Sequence, residues 1–305
     1  MTVGFFLAVF GAPLLGALAA VAWWLLRGRG ERSLSGTYGA AAVIAGTLGV
    51  LADALPRFIG SPLFAFDLPV TWWVSYGEFR FVIAPLAGLL AVIVLAFPMK
   101  KRGTSTTAIL TPRGPLSFVR PQWLVAPSVF LALLVVTVVA CGVVSEPDEQ
   151  TGRYTAWTVE ISPGTAMGTT IYGWFYSLPV LLVLLLLICA AALALFLIAR
   201  PVLADDAVAD EQRRALRSRN VIAAVTATLA LALSQAARHV AGAASLRAEF
   251  GSFHAWTPIA ALGPSLEVAS FALAALAVAT WCSVALSAVP RRARVRTPSR
   301  TGAVS

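Results

Sequence analysis

Charge is scarce in this chain, and lysine scarcer still. Only 12% of the 305 residues are charged, and the basic ones are 21 Arg against two Lys, Lys100 and Lys101. Both lysines lie in a polar connection, which excludes a Schiff-base chromophore held inside an apolar run. Cys141, Cys189 and Cys282 all sit within apolar stretches, so there is neither a disulfide framework nor a zinc spacing. They read as small packing residues. The two histidines, His239 and His254, lack a carboxylate-rich motif beside them, and no metal site is expected. There is no P-loop, H-E-x-x-H, G-x-S-x-G, C-x-x-C or Gly-rich dinucleotide fingerprint, so no catalytic domain and no cofactor are expected.

What the chain has in abundance is apolar length. It is 59% hydrophobic with a mean hydropathy of +0.83, well outside the make-up of soluble domains. A hydrocarbon core about 30 Å thick needs roughly 20 helical residues to cross it. Runs of that length predict helices near 3–26, 38–55, 79–98, 122–144, 172–199, 221–242 and 259–288. The expected fold is an all-α integral membrane bundle of seven helices, a single polytopic domain over 1–288 with a basic disordered tail over 289–305. No basic residue precedes the first run, which therefore reads as an uncleaved helix rather than a secretory signal. Pro258 and Pro264 predict an interfacial or kinked opening to the last.

Orientation follows from the arginines. The connections 27–37, 98–121 and 200–220 and the tail after 288 hold 18 of the 23 Lys and Arg. The opposite face holds five, Arg57, Arg80, Arg153, Arg238 and Arg247, together with nine of the 14 acidic residues. The positive-inside rule then places the N-terminus outside and the C-terminus in the cytoplasm. The expected location is a bacterial cytoplasmic membrane. Because the basic charge is spread over separate loops, nucleic acid is not an expected partner.

Some connections carry structure of their own. Thr155, Trp157, Val159 and Ile161 alternate with Tyr154, Ala156, Thr158 and Glu160, and Ser162-Pro163-Gly164 supplies a turn. With the run through Thr169, Thr170 and Ile171, this predicts an extracytoplasmic β-hairpin between helices 4 and 5. The segment 56–78, with Trp72, Trp73 and Tyr76 among three prolines, reads as an aromatic interfacial belt. Asp205 to Arg219 places acids before bases, the order that suits the dipole of a solvated juxtamembrane helix leading into the sixth span. The Arg-rich tail from Arg291 is expected to lie against anionic lipids.

Ionisable groups within or beside spans are costly, roughly 2.5–3.5 kcal/mol each at a helix centre, and so point toward function. Six fall in one layer at the arginine-poor end: Asp53, Glu78, Arg80, Arg238, His239 and Glu267. Ala42, Gly46, Gly49 and Asp53 recur at helical spacing, so a small-residue packing stripe ends on the Asp53 carboxylate. Glu267, Ser270 and Ala274 make a similar face on the seventh helix. The layer reads either as ion pairs holding the bundle or as a pocket for a ligand.

In composition the chain resembles small bacterial permease subunits, although no motif is shared. That resemblance implies a membrane subunit of a transport or export system with a separate motor, a cytoplasmic ATPase or other subunit being the partner besides the lipid bilayer. The alternatives are a sensor or accessory protein with an extracytoplasmic ligand pocket and an intramembrane enzyme acting at the outer leaflet. The orientation is tested by reporter fusions after Arg32, Gly103, Gly164, Ala207, Gly251 and Ser305. Cytoplasmic signals are expected at Arg32, Gly103, Ala207 and Ser305, and a cytoplasmic signal at Gly164 would overturn the assignment.

Overall fold

The structure is a computed structural model that describes residues 3–27, 33–60, 69–97, 114–162, 165–200, 207–250 and 253–290. Residues 98–113 of the basic connection 98–121, expected to be a flexible loop, and the lipid-binding tail from 291 lie outside the described residues. Among those described, seven helices are long and apolar enough to cross a membrane. They are α1 (Val3–Arg27), α2 (Thr37–Ile59), α3 (Val70–Ala96), α4 (Gln122–Val143), α5 (Trp174–Ala199), α6 (Ala207–Ala244) and α7 (Gly263–Leu286). Large aliphatic side chains such as Leu18, Val136 and Leu182 are exposed on the outside, where lipid is the natural solvent.

The bundle is built around α6. This helix packs against α2, α3, α4, α5 and α7, while α1 lies against α7 and α2. Its sequence explains the position, because Ala224, Ala227, Ala230 and Ala236 are fully buried and let neighbouring backbones approach closely. Larger residues of the surrounding helices, Val92, Leu134, Val138, Leu184 and Leu187, close around it and are buried. Close approach also depends on glycine. A Cβ at Gly88 of α3 would run into the Thr228 side chain of α6, and one at Gly49 of α2 would enter the indole of Trp281 on α7. The small-residue stripe predicted on α2 is thus a packing face, with Ala42, Gly46, Gly49 and Asp53 all buried.

Boundaries differ from expectation at four places, one being α2, which runs through Pro56 and Arg57 to Ile59 rather than ending at 55. The sixth helix starts at Ala207 rather than 221 and has 38 residues, about 57 Å against a core of about 30 Å. Its added turns are not simply a solvated face. Arg214 is buried and donates from Nη1 to the Ile198 carbonyl at 2.7 Å and to that of Arg200, while its Nε bonds Asp210 at 2.6 Å. Arg217 donates to the Ala96 carbonyl at 3.3 Å and lies 4.4 Å from the Tyr38 ring centre. Two arginines of α6 therefore cap the orphan carbonyls at the C-termini of α5 and α3, where cations also suit the helix dipole. Third, α3 begins at Val70 rather than 79. Pro69 sits at its N-cap, and the belt residues Trp72, Trp73 and Tyr76 form its first turns. Fourth, α7 begins at Gly263 after a 3-10 turn over Ala260–Leu262, with Pro264 in the first turn, where a missing N–H breaks no helical bond.

The predicted hairpin is present and has a third strand. Strands β1 (Glu146–Pro147), β2 (Tyr154–Ser162) and β3 (Thr165–Thr170) form an antiparallel sheet in that order, with Trp157 opposite Thr169 and Val159 opposite Met167. Thr155 is buried and Trp157 and Val159 half-buried, whereas Tyr154, Thr158 and Glu160 are exposed, as the alternation requires. The proposed turn residues Pro163 and Gly164 lie outside the described residues. A second hairpin, β4 (Arg247–Phe250) with β5 (Phe253–Trp256), was not expected. Gly251-Ser252 between the two short runs is the sequence signal that marks it.

Gly49→Val is expected to force the Trp281 ring out of place and destabilise the bundle by about 1–3 kcal/mol or more. Gly242→Val, at a position with open space around it, serves as the control. The check is the melting temperature and monodisperse yield of both variants in one mild detergent. Equal stability would contradict the α2–α7 packing.

Candidate ligand site at the arginine-poor end

The structure separates the six predicted residues: Asp53 and Arg238 belong to one region, Glu78, Arg80 and His239 to another, and Glu267 stands apart. In the first, Asp53 of α2 is buried and held by Arg57, one helical turn on. Arg57 Nε lies 3.0 Å from both carboxylate oxygens and Nη2 lies 2.8 Å from Oδ1. Nη1 donates to the Val9 carbonyl of α1 at 2.9 Å. That carbonyl is one helical turn before Pro13, which has no N–H to give it. One guanidinium thus neutralises a buried carboxylate and satisfies a carbonyl that a proline leaves free. Arg238 of α6 is exposed and lies in the field of Arg57, Asp53 and Glu267 without a close ion pair to any of them among the described residues.

Glu267 does not join a compact cluster. It is exposed on α7, and only its companions Ser270 and Ala274 turn inward. Ser234 of α6 donates to the Ser270 carbonyl at 2.7 Å, and the Ser270 hydroxyl donates to the Glu267 carbonyl at 2.8 Å. The first of these bonds joins α6 to α7. Among the described residues no hydrogen bond links the Glu267 carboxylate to His239 or Asp53.

The second group lies between α3, α5 and α6. Glu78, near the start of the membrane-embedded part of α3, pairs with Arg153 at the foot of β2 rather than with Arg80. Arg153 also stacks 4.5 Å from the Phe175 ring centre of α5. A built turn delivers it there. The Asp148 carboxylate accepts from the Thr151 hydroxyl and the Gln150 and Thr151 N–H groups at 2.9, 3.1 and 2.8 Å, which hold its pKa below the ordinary value. Gly152 takes a positive φ of 67°, and the Asp148 N–H bonds the Arg153 carbonyl at 2.8 Å.

Arg80 has no carboxylate in ion-pair contact among the described residues. Its guanidinium carbon lies 4.7 Å from the Phe81 ring centre and 6.0 Å from that of Tyr176 on α5. Nη2 is 3.4 Å from His239 Nδ1, and the buried Nε has no hydrogen-bond partner. The His239 ring is itself enclosed by Phe81 and Tyr176, with centroids at 5.3 and 5.9 Å. Since a guanidinium can only donate, Nδ1 beside it is the acceptor, and the neutral ring carries its proton on Nε2. That atom is buried and interacts with the Ile171 backbone without reaching hydrogen-bond geometry. One helical turn away, the buried Gln235 Oε1 lacks a donor.

The roof over this group is the end of β3. Ile171 and Tyr172 are buried, the Ile171 N–H bonds the Thr155 carbonyl at 2.8 Å, and Tyr172 packs edge-on to Phe81 at 4.9 Å. Burial pushes the Tyr172 phenol above its usual pKa, so it remains a neutral donor or acceptor. Sequence reasoning missed Phe81, Tyr172, Tyr176 and Gln235. Only the four-residue spacing of Gln235 and His239 signalled any of them. It also left Arg57 and Arg153 without partners, although both belong to the five exceptions to the charge pattern.

Among the described residues no three His, Cys, Asp or Glu side chains gather as a metal site. What the arrangement offers is a half-buried cation beside aromatic rings, with a spare buried N–H at Nε and no acid in ion-pair contact among the described residues. No protein-family model, curated protein or solved structure matches this chain.

Proposed function

We propose that this protein is a membrane-embedded sensor or accessory protein that binds a small anion at its arginine-poor end. The observation that carries the reading is Arg80. The other buried arginine–carboxylate pairs, Arg57 with Asp53 and Arg214 with Asp210, are closed within the chain. Arg80 instead faces aromatic rings and a neutral imidazole, with Nε left open. A charge in that setting gains most from an anion that arrives from elsewhere.

Three features support a recognition site over a reaction centre. Asp53 is engaged by Arg57, Glu267 is exposed, and His239 lacks a carboxylate partner among the described residues. The acid–base pairs that an intramembrane enzyme would use are therefore not assembled around it. Ring edges and faces around Arg80 and His239 provide shape without competing hydrogen bonds.

The membrane-subunit reading keeps one observation in its favour. α6 extends well past the thickness of a bilayer at its arginine-rich end, which offers a rigid surface to a cytoplasmic motor. Under that reading, purification from native membranes in mild detergent yields a stoichiometric ATPase beside this chain. If the chain elutes alone, the subunit reading is withdrawn.

For the anion site, purified protein is screened by thermal shift against carboxylates, phosphate and sulfate at constant ionic strength set with chloride. A ligand at about 100 times its Kd stabilises the folded state by about 2.7 kcal/mol. Arg80→Gln is expected to abolish the shift and Arg238→Gln to preserve it. An Arg80→Gln protein that melts at the wild-type temperature and still responds fully would sink the proposal.

A further inference from the structure

We infer that the Arg80 site selects an oxyanion that itself carries an O–H, of the kind inorganic phosphate or a singly ionised phosphate monoester presents. The inference rests on the anion-site reading above and goes beyond it by fixing the chemistry of the ligand. Two unmatched groups carry it, with His239 beside them. Among the described residues Arg80 Nε–H is a buried donor and Gln235 Oε1 a buried acceptor without hydrogen-bond partners, while the His239 N–H is turned to the Ile171 backbone. The guanidinium calls for an anionic oxygen. The amide oxygen calls for a donor.

These groups belong to one region. Arg80 Nη2 meets His239 Nδ1 at 3.4 Å, which ties the guanidinium to the imidazole. Gln235 and His239 lie four residues apart on α6 and so share one face, their Cβ atoms about 5–6 Å apart. That face meets α3, where Phe81 contacts His239. A tetrahedral oxyanion of ordinary size reaches across one helical turn, accepting on the Arg80 side and donating on the Gln235 side. Water satisfies the acceptor and the donor but leaves the guanidinium charge uncompensated. A fully deprotonated oxyanion meets the cation but leaves Gln235 Oε1 without a donor.

The rule that decides between ligands is the penalty of an unmatched buried group. Leaving one such acceptor bare forfeits about 1–3 kcal/mol, on the order of tenfold in affinity or more. At neutral pH phosphate retains an O–H and sulfate does not, although the two have the same shape. The pair therefore reads the donor alone. Two sources of the same chemistry exist at a membrane surface, a soluble phosphate compound and a phosphomonoester lipid headgroup.

The test measures wild-type binding by thermal shift, at pH 7 and constant ionic strength, with inorganic phosphate and with sulfate as probes. A parallel arm places the protein in phosphatidylcholine nanodiscs with and without phosphatidic acid, whose singly ionised headgroup carries an O–H that phosphatidylcholine lacks. Phosphate is expected to bind about tenfold more tightly than sulfate. Gln235→Leu is expected to reduce phosphate to the level of sulfate, and Gln235→Met is a second variant of closer shape should the first fold poorly. Protection by free phosphate identifies a soluble ligand, and protection by phosphatidic acid alone identifies a lipid; both support the inference. If sulfate and phosphate bind equally in the wild type, the donor requirement is overturned while the anion site stands. If neither phosphate form protects, the inference is overturned, and the wider anion panel with Arg80→Gln still judges the underlying reading.

Discussion

A helix enclosed by five others cannot carry large side chains on every face, and that constraint on α6 organises the whole bundle. Alanines at 224, 227, 230 and 236 meet it in the middle. Polar side chains can be afforded only where they bond to a neighbour, and α6 places them so. Ser234 reaches the α7 backbone, and Asn220 donates to the Ser287 hydroxyl at 2.7 Å beyond the end of α7. At the arginine-rich end Arg214 and Arg217 supply donors to the last carbonyls of α5 and α3. The central helix thus fixes the depth of its neighbours as well as their spacing. Arg80 on α3 and Tyr176 on α5 meet His239 because those two helices are anchored to α6 at the far end.

Charge neutralisation in the bundle is local and economical. Asp53 with Arg57 and Asp210 with Arg214 are both four residues apart on one helix, so each ion pair forms before tertiary packing asks anything of it. Each arginine then spends its remaining donors on carbonyls of another segment, Val9 in the first case and Ile198 and Arg200 in the second. Glu78 and Arg153 follow a different logic. Their pair spans 75 positions and fastens the β-sheet to α3. Against these, Arg80 stands out by its surroundings: two aromatic rings, one imidazole and, among the described residues, no acid in ion-pair contact.

Much of the fold was legible because membrane spans obey a rule of length. The seven runs of apolar residues gave seven helices, and the period-two pattern from Tyr154 to Ile161 gave β2. The errors have physical causes. A hydropathy window ends a helix where charge begins, but α6 continues through Arg213, Arg214, Arg217 and Arg219, since long side chains at a bundle end find water or carbonyls. The start of α3 was hidden because aromatic residues suit an interfacial belt and an amphipathic helical turn equally well. The candidate site was legible as a layer and not as a constellation. Depth along each helix follows from counting residues, which is why Asp53, Arg80, Arg238, His239 and Glu267 were assigned to one end. Azimuth does not follow from one charged residue, so Glu267 faces outward and Glu78 prefers Arg153.

The sheet gives the Arg80 region its physical character. Ile171 and Tyr172 close it from above, and the Glu78–Arg153 pair holds that closure to the helix that carries Arg80. With water kept away, a unit charge pair at 4 Å is worth about 4 kcal/mol at an effective dielectric of 20, against about 1 kcal/mol in bulk water. The usual objection is that desolvating the cation offsets the gain. Here Arg80 is half-buried with its Nε already out of solvent, and a guanidinium loses less hydration than an ammonium does. Under the proposed anion reading, part of the cation's desolvation therefore precedes binding. The nearby rings can neither neutralise the guanidinium nor rotate to follow it, so the charge is preorganised. The same roof that strengthens the interaction also sets the difficulty of entry, which makes the sheet and its ion pair part of the site rather than an ornament upon the bundle.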